Sequence, residues 1–248
     1  LHRENGRSTK AKEHYLQAIS IAREQGYRSL EGVNIGSLAN LIRDQGNIEL
    51  AREHYEEALG IAREIGDRQA ESITIGNLAW LHLDNGHFIA ALEYFSQALR
   101  IAIEVGNRRG EGITLANIAG VQRAQTSLTE AMHNYTQALK IAREVGNRRG
   151  EGITLANIGD IQHKQGLYEA SIQNLTAALI IAREVGNRKG ESITLATFGA
   201  VQHDQGLHEA AVKSLTEALS ISQQVGDSKN EGFVRTKLGV LYRNIGRF

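Results

Sequence analysis

The sequence predicts an all-α solenoid of about twelve antiparallel helices, arranged as about six helix pairs of forty residues each. Three observations predict it. Glycines recur at a fixed step: Gly26, Gly66, Gly106, Gly146, Gly186 and Gly226 form one series. Gly6, Gly46, Gly86, Gly166, Gly206 and Gly246 form a second, offset by twenty, with Thr126 in its vacant place. A fixed period of 20–50 residues is the mark of stacked repeats. Proline is absent from all 248 residues while glycine occurs 26 times, so long helices run uninterrupted and glycine punctuates them. Between the glycines the apolar spacing is helical: Leu155, Ile158, Gly159 and Ile161 line one helix, and Leu175, Ala178, Leu179 and Ala182 the next.

The elements follow in order along a single domain, 1–248. A lone second-type helix near 8–25, within a partial repeat at 1–25, opens the chain. Full pairs occupy 28–65, 68–105, 108–145, 148–185 and 188–225. A first-type helix near 228–245 closes it, within a partial repeat at 228–248. The joints have their own chemistry. Gly146 suits the left-handed conformation that ends a helix. Asn147, or Asp67 in an earlier copy, then caps the next one. Glu151 and its equivalents Glu31, Glu71, Glu111, Glu191 and Glu231 sit in a first turn, where a carboxylate complements the helix dipole. At Thr126 the run Ser127-Leu128-Thr129-Glu130 reads as a capping box that starts its helix without glycine. Small residues recur where axes must approach closely: Ala39, Ala79, Ala119, Gly159, Gly199 and Gly239 in first helices, Ala18 to Ala218 in steps of forty in second helices. Tyr15, Tyr55, Phe95 and Tyr135, then Leu175 and Leu215, fill the space beside them.

Gly159, Gly166, Tyr168, Leu175 and Ala178 match, in order and spacing, the pattern of the tetratricopeptide repeat, and the match extends over essentially the whole chain. The usual period is about 34 residues; a period of forty with the joint "IAREVGNRRGEG" resembles the long repeats of Pins/LGN-type adaptors, and more distantly those of kinesin light chains. The resemblance implies a right-handed α-α superhelix whose first helices line a concave groove that binds protein.

Composition and motifs exclude most other functions. Basic and acidic residues balance at 28 each, so the electrostatic footprint of a nucleic-acid binder is missing. Without cysteine there is no disulfide or thiolate chemistry. No apolar run approaches the roughly 18–20 residues that span a membrane, and no signal peptide is visible; a cytoplasmic, intracellular protein is expected. The chain opens on Leu1 and closes on Gly246-Arg247-Phe248 without evident polar caps, and reads as a piece of a longer protein.

The stretch "GNRRGEG", found at 106–112 and 146–152, has the look of a phosphate loop. Its nearest approach to one, "GNRKGES" at 186–192, places Lys189 before the glycine, and no strand precedes it. It reads as the joint between repeats. His163 and His203, with Asp160 and Asp204 close in register, come near each other on neighbouring first helices, but no helix offers a histidine pair with a third ligand. No nucleophile motif is present. No enzyme activity, metal or cofactor is expected.

A groove remains. The resemblance assigns its lining to Asn77, Trp80, Asn117, Arg123, Asn157, Asp160, His163, Lys164, His203 and Asp204. One set of these positions varies from copy to copy (Asn40, Trp80, Gly120, Asp160, Ala200, Val240), as suits a groove that reads a non-repeating segment, or as solvent-facing drift. Asn77, Asn117 and Asn157 are similar to the asparagine that holds peptide backbone in the Pins-like family. One turn earlier, where that family often has arginine, this chain carries Val33, Ile73, Ile113, Ile153, Ile193 and Phe233. These either form an apolar stripe for a partner or, the favoured reading, pack on the preceding helix. The predicted function is a scaffold binding a protein or peptide segment. Self-association, or service as the sensor arm of a larger switch or protease, are the alternatives.

Overall fold

The computed structural model describes residues 2–246. Among them are twelve helices and no strand: α1 (His2–Glu24), α2 (Arg28–Asp44), α3 (Ile48–Glu64), α4 (Arg68–Asp84), α5 (Phe88–Glu104), α6 (Arg108–Ala124), α7 (Leu128–Glu144), α8 (Arg148–Lys164), α9 (Tyr168–Glu184), α10 (Arg188–Asp204), α11 (His208–Val225) and α12 (Ser228–Asn244). They fall into two compact units, Leu1–Val121 and Gln122–Phe248. Consecutive helices pack pairwise from α1 to α5 and from α7 to α12, and alternate helices such as α2 and α4, or α8 and α10, touch. No described helix is long and apolar enough to cross a membrane. Helix α1 starts at His2, ahead of residue 8, and Gly6 lies inside it instead of at a turn. Residues 2–7 contain no apolar side chain that could have announced the extension.

The predicted joint forms as a Schellman motif. Gly146 takes φ +64°. Its N–H donates to the Arg143 carbonyl at 3.2 Å, and the Asn147 N–H to the Ala142 carbonyl at 2.8 Å. The Asn147 side chain then accepts from the Gly150 N–H at 3.0 Å, capping α8. Asn107, Asp67, Asn187 and Asp227 do the same at their joints. The capping box at Ser127 does not form: its side chain makes no cap bond. Thr126 instead adopts the glycine conformation itself, at φ +63°, and keeps both Schellman bonds. Two main-chain hydrogen bonds outweigh the left-handed penalty of about 1–2 kcal/mol.

The glutamates of the joint do more than meet a helix dipole. Glu31, Glu71, Glu151 and Glu191 are only 2–8% exposed, and each is held between two arginines. Glu151 accepts from Arg143 Nε at 2.9 Å and from Arg148 at 2.6 Å. Arg148 reaches on to Glu184 at the end of α9, also at 2.6 Å. The pattern repeats with Arg63, Arg68, Glu71 and Glu104, and with Arg23, Arg28, Glu31 and Glu64. Burial pushes the Glu71 and Glu151 carboxyls up, but the paired arginines outweigh it and hold both below the ordinary glutamate value. Thus the first glycine, the asparagine, the first arginine and the glutamate of "GNRRGEG" each have a structural task. Its last glycine is set by packing, since a Cβ on Gly152 would meet Ile181 Cγ2 at 2.8 Å.

Small residues and their fillers are matched in pairs. Ala79 faces Phe95 in one buried cluster, and Ala39 faces Tyr55 in another. Where the filler is leucine the small residue is glycine: a Cβ on Gly159 would sit 2.8 Å from Leu175 Cγ, and one on Gly199 2.8 Å from Leu215 Cγ. A flat ring leaves room for a methyl group beside it; a branched leucine does not.

Candidate functional site

The aliphatic series of the first helices is exposed. Val33, Ile73, Ile113, Ile153, Ile193 and Phe233 are 43–55% accessible, so the favoured expectation that they pack on the preceding helix is overturned. At two of the six positions the inward neighbour contributes. Gly32 and Gly152 lie against Ile61 and Ile181, seating their helices closely on α3 and α9 and filling the contact before the next residue reaches it.

Two clefts open beside this series. In the first unit, a cleft of about 180 Å³ lies between α2 and α4 over α3. Val33 and Ile73 form its walls, Ala58, Ile61 and Ala62 its floor, and Ser37, Asn40 and Asn77 supply polar groups. In the second unit, about 250 Å³ opens between α8 and α10 over α9. Here Ile153 and Ile193 are the walls, Ala178, Ile181 and Ala182 the floor, and Asn157, Arg123 and Arg149 the polar groups. Asn157 donates its Nδ2 to the Ile153 carbonyl at 3.0 Å, which orients the amide and leaves its oxygen to accept.

The other expected site residues are engaged with one another. Arg123 pairs with Asp160 at 2.6 Å, and Lys164 joins the same carboxylate at 3.0 Å. Asp204 lies between two histidines, 2.8 Å from His163 Nε2 and 3.1 Å from His203 Nδ1. Burial raises its carboxyl, the two imidazoles outweigh that, and the net shift is downward. His203 Nε2 meets Asn244 Nδ2 at 3.0 Å. Among the described residues no three histidine, aspartate or glutamate side chains converge on a metal position. Trp80 sets its ring edge-on to Phe95, with centroids 5.9 Å apart. Asn117 is half-buried and lines neither cleft.

Part of the copy-to-copy variation at the Asn40 register follows the filler beneath it. Asn40 accepts from the Tyr55 hydroxyl at 2.7 Å, whereas Trp80 faces Phe95, which has no hydroxyl to satisfy. Variation that looks like ligand reading in the sequence is here complementary packing. The exposed wall of each cleft was the less favoured of the two readings the sequence offered. The available signal was the invariant glycine or serine directly before each aliphatic residue.

Tetratricopeptide repeat profiles match residues 32–104, 110–184 and 150–224, and another matches residues 1–25. No curated protein matches the chain by sequence. Among solved structures it is similar to BtubC (BKLC) from P. vanneervenii, with TM-score 0.73 and 20% identity over 88% of this chain and 92% of that one. It is similar to the apo form of RapI, with TM-score 0.72 and 17% identity over 86% and 77%. A third similarity is to a signal-transduction ATPase from Pyrococcus horikoshii with a tetratricopeptide repeat sensor: TM-score 0.69 and 19% identity, over 91% of this chain and 35% of that one. At these identities the likeness is one of fold. The forty-residue period, the helix pairs and the matched profiles agree, and the chain belongs to the tetratricopeptide repeat family.

Proposed function

We propose that this chain is a protein-interaction scaffold in which each cleft can hold a segment of a partner protein against its aliphatic walls. The observation that carries the reading is the exposure of all six aliphatic or aromatic residues at one register of the first helices. Exposed apolar groups beside orienting amides are what a bound peptide needs: side chains for the walls, and donors and acceptors for its backbone. No charged residue occupies that register, so the preferred segment is apolar and not acidic.

Selection from a random peptide display library tests this. Peptides enriched on the wild-type protein are expected to carry two or more apolar residues. They should lose at least ten-fold in affinity on Ile153→Asp with Asn157→Ala, and be unaffected by Ile89→Asp on an exposed face of α5. Equal loss with both variants, or peptides indifferent to Ile153→Asp, defeats the reading. Reversing charge at Arg123 and Lys164 separates the walls from the ion pairs at Asp160, and light scattering over a concentration series reads out self-association.

A further inference from the structure

Away from the clefts, one joint differs from its siblings. At the joint of Arg23 and Arg28, the second arm of Arg23 reaches Glu57 at 2.5 Å. At that of Arg183 and Arg188, the second arm of Arg183 reaches Glu217 at 2.8 Å. At the joint of Arg63 and Arg68 the corresponding residue is Gln97. Arg63 donates only its Nε, to Glu71 at 2.9 Å. One turn further along α5, Arg100 stands where the other joints have Gly60, Ile180, Ser220 or Lys140, the last an ammonium beside Glu144 in a joint that carries Ile103 in place of the first arginine. Arg100 forms no ion pair or hydrogen bond with the described residues. Arg63, Arg68 and Arg100 therefore face two carboxylates, Glu71 and Glu104, around an open cleft of about 420 Å³. The joint of Arg143 and Arg148 also lacks a second acceptor, but Ala177 and Ile180 make its wall apolar and no third guanidinium is present.

The geometry points to this cleft as a binding site for a phosphate group. Two guanidinium groups there, Arg63 and Arg100, have donors unused by the protein, and the excess is one positive charge. Planar forks of N–H donors match the oxygens of a phosphate, which an ammonium group does only as a point charge. The site lies on α3, α4 and α5 and does not depend on the reading of the aliphatic walls.

The probes are inorganic phosphate and a glycine-flanked phosphoserine tripeptide, titrated at constant ionic strength against chloride. The readout is the arginine Nε–Hε resonances of the ¹⁵N-labelled protein. Signals of Arg63 and Arg100 are expected to shift together and saturate, while those of Arg23 and Arg183 stay in place. Gln97→Glu restores the acceptor that the sibling joints possess on an exposed position, and should weaken phosphate binding at least ten-fold without altering the helical spectrum. Arg100→Ala should do the same. At least three-fold tighter binding of the tripeptide identifies a phosphorylated side chain as the source; equal binding identifies a free phosphate. Equal shifts at all joints, no saturation, or unchanged binding in Gln97→Glu overturns the proposal.

Discussion

Substituting Gly159 by alanine puts two opposed effects on one atom. In a helix interior alanine is favoured over glycine by about 1 kcal/mol. Against that, the new Cβ would lie 2.8 Å from Leu175 Cγ, 2.9 Å from Cδ2 and 3.3 Å from the Ser171 carbonyl. Leu175 alone cannot relieve this, since the third contact is main chain and α8 and α9 must separate. Overpacking of this kind costs about 1–3 kcal/mol, so a net loss of about 1 kcal/mol is expected. Leu175→Tyr alone should also destabilise, because a ring beside a glycine leaves a methyl-sized gap worth about 1 kcal/mol. The double variant recreates the pair Ala39 and Tyr55 and places the new hydroxyl at the register where Asn40 receives that of Tyr55. Urea unfolding, with hydrogen exchange in α8 and α9 as the local measure, should give a favourable coupling of at least about 1 kcal/mol. A Gly159→Ala protein as stable as the wild type, or a coupling near zero, refutes the matched-pair account.

Three further outcomes follow from the joints. Thr126→Gly should stabilise the chain by about 0.5–1 kcal/mol, the left-handed penalty of threonine less the extra freedom of glycine in the unfolded chain; a lower urea midpoint contradicts this. Ile103 occupies the place of Arg63 and Arg143, and Glu111 is held by Arg108 at 2.7 Å without the second arginine. Ile103→Arg should add about 0.5 kcal/mol that fades in 1 M salt, and a salt-independent gain would point elsewhere. The carboxyls of Glu31, Glu71 and Glu151 all have folded values below the ordinary one of 4.5. The unfolded chain therefore binds more protons in this range. The contribution is present above about pH 4.5 and lost as pH falls through the folded values. Acid titration of the circular dichroism signal should show this loss. Glu71→Gln with Glu151→Gln should flatten it, and an unchanged profile would remove the buried glutamates as its cause.

The helix pairs and the caps at Asn147 and Asp67 were legible because glycine, asparagine and aspartate act locally there. Other features depend on residues far apart in sequence. Glu151 reads only as a first-turn carboxylate that complements the helix dipole until Arg143, Arg148 and Glu184 are placed around it. Thr126 reads as a break in the rule, yet the main-chain bonds of the joint are strong enough to impose the glycine conformation on it. Ile153 reads as core because a first helix is apolar on most of its circumference, and periodicity cannot tell a covered wall from an open one. The residues of the expected groove were named position by position from the family resemblance. Their mutual pairing, Arg123 with Asp160 and His163 with Asp204, was beyond a reading of single helices.

The joint also has a genetic meaning. The fifteen residues at 104–118 recur unchanged at 144–158, so recombination between the two copies would delete or add forty residues in frame. At the junction, both products keep the glycine turn, the capping asparagine and the glutamate with its arginine partner three residues before it. The matched pairs Ala79 with Phe95 and Gly159 with Leu175 each lie wholly on one side of the exchange point and survive it intact. A protein built this way can change length by one unit in a single event without passing through a misfitted intermediate.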